Sequence, residues 1–327
     1  MQTPLYPLTF APIYRDYLWG GDGIATLFRR EGTPAPCAES WEISAHADGR
    51  SVVGEGALAG CDLRQLTRDY GTALTGTHCE TETFPLLIKL IDAAEPLSVQ
   101  VHPDDAAAQA CGGEAKTEMW YVLKATDDAH LCAGLTADVH GPRQIHDAAV
   151  DKTLRRFLRI IPSRAGQSLF VPGGMVHAIG KGNLIFEVQQ SSNTTYRLYD
   201  WDRVDADGRT RPLHLRQALD AINWRSPAMD FLRPVPMSPA NAANRRSRLL
   251  RSDFFTLEAI DLAAPEPVTL DGTTFHALFV EKGAATLAWD GGTLPLPLGR
   301  SCLVPANLKH YALTPSVTSV RVLKVTL

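Results

Sequence analysis

The chain has 327 residues, enough for one large or two ordinary domains that each bury a core, and its 45% hydrophobic and 21% charged residues match a folded protein and not a disordered one. A formal charge of -4 with scattered Lys and Arg excludes the broad basic stripe of a nucleic-acid surface, and no apolar run is long enough to span a bilayer. Neither a nucleic-acid nor a membrane partner is expected. The densest basic cluster, Asn244, Arg245, Arg246, Ser247 and Arg248, reads as a solvated linker. The opening MQTPLYPLTF lacks the basic start and apolar core of a secretory signal, which predicts a cytoplasmic protein. With no C-x-x-C pair, Cys37, Cys61, Cys79, Cys111, Cys132 and Cys302 are expected as free thiols.

With 22 prolines and 25 glycines separating short apolar runs, the pattern predicts a mostly β architecture. In chain order, a strand is predicted over 51–53, then a helix over 62–70 with Asp62 as its N-cap. Strands follow over 86–90 and 97–101, a helix over 104–110 capped by Asp104, and a strand over 119–123. A helix over 154–159, strands over 167–171 and 184–189, and a helix over 213–222 come next. The stretch 226–247 carries Pro227, Pro234, Pro236 and Pro239 and reads as a linker or a chain draped over the surface. Beyond it the chain is strand-like again, including 275–281 and 320–326.

Val171-Pro172-Gly173-Gly174-Met175-Val176-His177 is echoed by Val304-Pro305-Ala306-Asn307-Leu308-Lys309-His310. Two copies of a jelly-roll unit of the cupin sort would produce that echo. The fold expected is therefore two cupin-like jelly-roll β-barrels with a few inserted helices. An N-terminal domain over 1–240 would carry the chemistry, followed by a smaller β domain over 241–327.

Strand side chains alternate faces, so Ser98, Gln100 and His102 share one face of their strand while Leu97, Val99 and Val101 take the other. On a solvent-facing sheet such alternation is ordinary. The next strand, however, places Lys116 and Glu118 on a common face, and His177 follows a Pro-Gly-Gly turn. Two His, one Glu and a side-chain amide form an N/O set suited to zinc, and a single carboxylate leaves the ion a strong Lewis acid. Phosphate-loop, nucleophile-elbow and H-E-x-x-H signatures are absent. His276 and His310 lack a Gln-x-His partner and are not expected to bind metal.

Gln100-x-His102, Lys116-x-Glu118 and His177-Ala178, in this order, resemble the zinc-binding pattern of type I mannose-6-phosphate isomerases, and the short bacterial members most closely. Supporting segments are Tyr17 to Gly21, Glu39 to Ser44, Pro85 to Asp105, and His177 through Arg203. The resemblance implies one Zn2+ per chain held by Gln100, His102, Glu118 and His177. It implies a cytoplasmic isomerase that interconverts mannose 6-phosphate and fructose 6-phosphate through an enediol, with this small sugar phosphate as its partner. It also puts Ser98 and Lys89 near the phosphate or sugar hydroxyls, and Lys116, Glu187 and Arg197 in catalytic roles. The longer members have Asn-His-Lys-Pro before the glutamate and Ala-Tyr after the last histidine, where this chain has Glu114-Ala115-Lys116-Thr117 and Ala178-Ile179. With only 59 residues from Glu118 to His177, the helical domain of the longer members is reduced or missing.

Plainer readings stand beside these. Glu187 could be a lining carboxylate paired with Arg197, and Lys89 could snorkel from a strand end. A metal cupin with another reaction, such as an iron oxygenase, would use a third His where this chain has Gln100. A non-catalytic sugar-binding relative would lack a ligand or Arg197, and all are present.

Overall fold

The computed structural model describes residues 3–79 and 81–327. The chain forms two compact units, the first comprising Tyr14–Ser40 and Ile88–Leu232, the second the N-terminal stretch to Ile13 with Trp41–Leu87 and Arg233–Leu327.

The first unit holds parts of β1 (Ile13–Arg15), β2 (Glu39–Ile43) and β3 (Leu86–Ala93), whose remaining residues belong to the second, and the whole of β4 (Val99–Val101), β5 (Glu118–Ala125), β6 (His130–Leu135), β7 (Leu158–Pro162), β8 (Ser168–Val171), β9 (His177–Ile179), β10 (Asn183–Gln190) and β11 (Tyr196–Tyr199). They lie in two sheets, β1-β2-β3-β10-β5-β8 and β11-β4-β9-β6-β7. Ile91, Trp120, Val122, Leu169 and Ile185 of the larger sheet meet Leu131, Ala133 and Ile179 of the smaller across a shared core. At alternate positions these residues supply the apolar inner face that a stacked pair of sheets requires. The sheets keep free edges and are not closed barrels.

Local chemistry explains where helices appear. Asp104 accepts from the Ala107 amide at 2.8 Å and starts the helix Asp105–Cys111; Asp62 does the same for Leu63–Tyr70 through the Gln65 amide, also at 2.8 Å. The predicted helix over 154–159 is instead one 3-10 turn, Leu154–Phe157, followed by β7. There Leu131 pairs with Ile161 and Cys132 with Ile160, so sheet pairing overrides a weak helical pattern. A helix over Pro142–Val150 follows Pro142 at its first turn and buries Ile145, Ala148 and Ala149. Residues 51–53 make two isolated bridges and no strand.

In the second unit the strands are β12 (Val235–Pro236), β13 (Arg245–Arg251), β14 (Thr256–Leu262), β15 (Glu266–Thr269), β16 (His276–Lys282), β17 (Ala285–Trp289), β18 (Gly292–Leu296), β19 (Ser301–Val304), β20 (His310–Pro315) and β21 (Val320–Thr326). Their sheets run β12-β13-β14-β21-β16-β19 and β15-β20-β17-β18, repeating the winding of the first unit. The echoed segments match: Val171 ends β8 and His177 opens β9, as Val304 ends β19 and His310 opens β20. The basic cluster is not a solvated linker. Residues from Arg245 onward form β13, paired with β14, and the Arg246 guanidinium donates to Glu258 at 2.9 Å. Cys37, Cys132 and Cys302 are buried and all six cysteines are free thiols.

Candidate active site

The sheet pairings of the first unit bring the predicted residues together. Gln100 on β4 lies opposite His177 on β9 and Arg197 on β11, while Glu118 opens β5 opposite Gln189, and Trp120 faces Glu187 on β10. The turn that delivers His177 needs its glycines. Gly174 has a φ of +84°, and a Cβ on Gly173 would stand 2.7 Å from the Asp104 backbone. In the same turn the Gly174 amide donates to the His102 carbonyl at 2.7 Å.

His102, Glu118 and His177 are buried and place three ligand-type atoms within 4.8 Å of one another. His102 Nε2 is 3.5 Å from Glu118 Oε2, and His177 Nε2 is 3.4 Å from Glu118 Oε1. Each imidazole contacts a backbone carbonyl through Nδ1, at 2.8 Å for His102 to Thr194 and for His177 to Met175. A carbonyl can only accept, so Nδ1 carries the hydrogen and the Nε2 lone pair faces inward, as a metal-ligating histidine needs. His102 Nε2 and both Glu118 oxygens are buried without a hydrogen bond, although Lys116 Nζ stands 2.9 Å from Glu118 Oε2 as an ion-pair partner. Buried lone pairs converging on one point, with only Glu118 Oε2 offset by a cation, are costly unless something fills that point. A divalent cation fits them.

Gln100 completes the group with its amide nitrogen 3.4 Å from His177 Nε2, while its oxygen accepts from the Ser98 hydroxyl at 3.1 Å. Burial lowers His177 to about 4 and holds His102 well below the usual histidine range. Burial also raises Glu118 to about 7 against the pull of Lys116. A cation at the centre would reverse that balance and favour the carboxylate.

Beside the cluster is a cavity of about 260 Å³ lined by Ser98, Gln100, Lys116, Trp120, Glu187 and Arg197 among others. Lys89 also lines it, but from the middle of β3 and buried, not snorkelling from a strand end. Its Nζ lies 3.6 Å from Glu39 Oε2 and 3.5 Å from Glu187 Oε1. Burial opposes the Lys89 charge, and these two carboxylates outweigh it to raise the pKa. Glu187 is therefore not the ion-pair partner of Arg197: one oxygen faces Lys89 and the other accepts from the Trp120 indole at 2.8 Å. Burial pushes Glu187 up, but Lys116, Lys89 and that indole hold it below its ordinary value. Arg197 makes no ion pair among the described residues, and its buried Nε lacks a hydrogen-bond partner.

Arg211 also reaches the cavity, held by a two-point contact to the buried Asp200 at 2.7 and 2.5 Å. The sequence analysis assigns no catalytic role to Glu39, Trp120 or Arg211. Glu39 sits in the Glu39 to Ser44 segment of the resemblance, which was a usable signal; Arg211 has none nearby. A larger cavity of about 510 Å³, with Gly134, Arg159 and Trp224 on its wall, contains none of these groups. The titratable groups described above gather at the compact polar pocket and not at the larger one.

Two family models match the chain, the catalytic domain of type I phosphomannose isomerase over residues 8–131 and the mannose-6-phosphate isomerase cupin domain over residues 246–324. A mannose-6-phosphate isomerase of Streptococcus mutans is 39% identical over 250 residues, covering 73% of this chain and 74% of the relative. The chain belongs to the type I phosphomannose isomerase family. Another member, from Bacillus subtilis, is 40% identical over 223 residues, 66% of this chain and 68% of that one. Among solved structures, a Bacillus subtilis mannose 6-phosphate isomerase superposes with a TM-score of 0.88 at 28% identity, covering 98% of this chain and 99% of that one. A zinc-bound mannose 6-phosphate isomerase at 16% identity, with a TM-score of 0.75 and 98% coverage of both chains, shares the fold.

Proposed function

We propose that this phosphomannose isomerase family member is zinc-dependent, interconverts D-mannose 6-phosphate and D-fructose 6-phosphate in the cytoplasm, and binds one Zn2+ per chain through Gln100, His102, Glu118 and His177. The observation that carries the reading is the convergence of His102 Nε2 and both Glu118 oxygens, buried and without hydrogen bonds, on the inward Nε2 of His177. For Gln100 to join them, its amide oxygen must turn from the Ser98 hydroxyl towards the ion. When bound, zinc supplies Lewis-acid polarisation of the substrate oxygens.

The residues of the chain divide the remaining work. Glu187 takes the proton from C2 of the aldose, leaving the anion of an enediol, and returns it to C1, while the hydrogen on the C2 hydroxyl moves to the C1 oxygen, so no atom or charge is gained or lost. Carriage of that proton by a carboxylate is ordinary general acid–base catalysis. Arg197 and Lys116 offset negative charge as it develops on the oxygens. Ser98 and Lys89 touch the sugar phosphate, and Arg211 adds a guanidinium suited to its dianion. We read each pair of stacked sheets as a jelly roll of the cupin sort, and the functional division as a catalytic domain over 1–240 followed by a smaller β domain over 241–327.

The test is a coupled assay following fructose 6-phosphate formed from mannose 6-phosphate. Turnover should disappear with chelator and return with added Zn2+. A zinc-loaded, folded protein that forms no fructose 6-phosphate contradicts the proposal and favours a sugar-binding role.

A further inference from the structure

Trp120 lies almost fully buried, opposite Glu187 in the β5–β10 register, so the two side chains share the inner face of the sheet. Its indole nitrogen donates to Glu187 Oε2 at 2.8 Å. The same side chain packs against His177, with ring centroids 5.4 Å apart and planes at 72°. Glu187 Oε1 has a different environment. It is buried and accepts no hydrogen bond, with Lys89 Nζ 3.5 Å away.

An indole N–H is a donor with no acceptor capacity, and its direction is fixed by the ring. It therefore cannot exchange the proton itself. A carboxylate held this way keeps the same contact whether or not its other oxygen is protonated, because Oε2 remains an acceptor in both states. A hydroxyl or primary amide at position 120 could rotate and follow the proton; the indole, buried and wedged against His177, cannot.

We propose that Trp120 is a positioning residue that ties Glu187 by Oε2 and so assigns Oε1 as the atom that exchanges the proton with the sugar phosphate. The inference rests on the isomerase reading above and goes beyond it by naming the oxygen and the group that selects it. The contact with His177 places the same ring against the metal cluster, so the carboxylate is held in register with the metal ligand. Misplacing a reacting group by about 1 Å can cost on the order of a hundredfold in rate.

The test combines Trp120→Phe, which keeps an aromatic ring beside His177 but removes the N–H, with Glu187→Gln and the double variant. Trp120→Phe should retain its zinc and change KM by less than about threefold, while kcat falls between about tenfold and a hundredfold. The acid limb of its pH profile should move to higher pH, since a donor that favours the carboxylate has gone. In the Glu187→Gln background the same substitution should cost little more, because the indole acts through Glu187. Normal kcat in Trp120→Phe, a loss that tracks missing zinc, or full additivity in the double variant would overturn the inference alone. Absence of turnover in zinc-loaded wild type would overturn the isomerase reading with it.

Discussion

The β5–β10 pair of the first unit and the β16–β21 pair of the second hold the same places in their sheets, yet their polar interiors are opposites. Glu118 lies opposite Val171, just before Pro172; His276 lies opposite Val304, just before Pro305. Two residues on, Trp120 faces Glu187 and Leu278 faces Lys324. Where the first unit sets Lys89 3.5 Å from Glu187, the second sets Glu258 2.8 Å from Lys324, a pair of inverted sign. In the second interior the acceptors are met: Glu258 also accepts from Arg246, whose Nε alone is left buried without a partner, and His276 Nδ1 meets the Tyr311 hydroxyl at 2.9 Å. The first leaves His102 Nε2, both Glu118 oxygens and Glu187 Oε1 without hydrogen bonds. One strand plan thus supports a closed ionic core or an interior left open to a ligand, and the difference lies in which lone pairs are satisfied.

Removing a group from the starved interior should cost function and little else. The largest effect is expected for Glu118→Ala, which deletes the carboxylate shared by both histidines. Zinc measured after dialysis should fall to near zero and turnover by more than about a hundredfold, since even supporting groups around a metal are worth about ten- to a hundredfold. Arg197→Ala should come next. Zinc and fold persist, while kcat drops about a hundredfold and KM moves far less, as for a donor acting in the transition state.

The same deletion in the ion-paired interior should cost stability instead. Lys324→Met strips Glu258 of its closest partner and leaves it Arg246, so chemical unfolding should show a loss near the low end of the range for broken buried pairs, about 3 kcal/mol. Turnover per folded molecule should be unchanged. A Lys324→Met protein of normal stability would show that the ionic core is not what holds this unit.

A smaller effect concerns His276, which burial, and after it Lys324, lowers to about 3. Glu258, Arg246, Asp271 and Tyr311 are the other charged or titratable groups around it. A group with a depressed folded pKa contributes stability that is complete above its unfolded value and is lost as pH falls through the folded one. The stability difference between wild type and His276→Gln should therefore shrink as pH drops from about 6.5 towards 3, with a slope approaching 1.4 kcal/mol per pH unit. Parallel curves would contradict it. Zinc content should be untouched in His276→Gln and in His310→Ala.

Much of the first unit's cluster is legible in the sequence because it depends on a period of two. Alternation alone puts Gln100 with His102, and Lys116 with Glu118, on common faces, and the Pro-Gly-Gly turn marks where His177 enters. The mostly β class and the repeated Val-Pro to His segment are legible for the same reason. What depends on partners far along the chain is not. Lys89 sits in the apolar run Leu86 to Ile91 with no local counter-charge, and its two carboxylates arrive from β2 and β10. Trp120 gains its meaning from Glu187, and Arg211 from a bend that returns it to Asp200. The basic stretch around Arg246 is read as solvated for want of a visible partner, and Glu258 supplies one across the β13–β14 pair.

The claim that the first interior binds a metal and the second does not is tested most directly by zinc titration of chelator-stripped protein, with turnover of mannose 6-phosphate read at each step. The account predicts activity rising in proportion to bound zinc and saturating at about one ion per chain. Full activity in the stripped protein, or saturation near two with equal affinity, would contradict it.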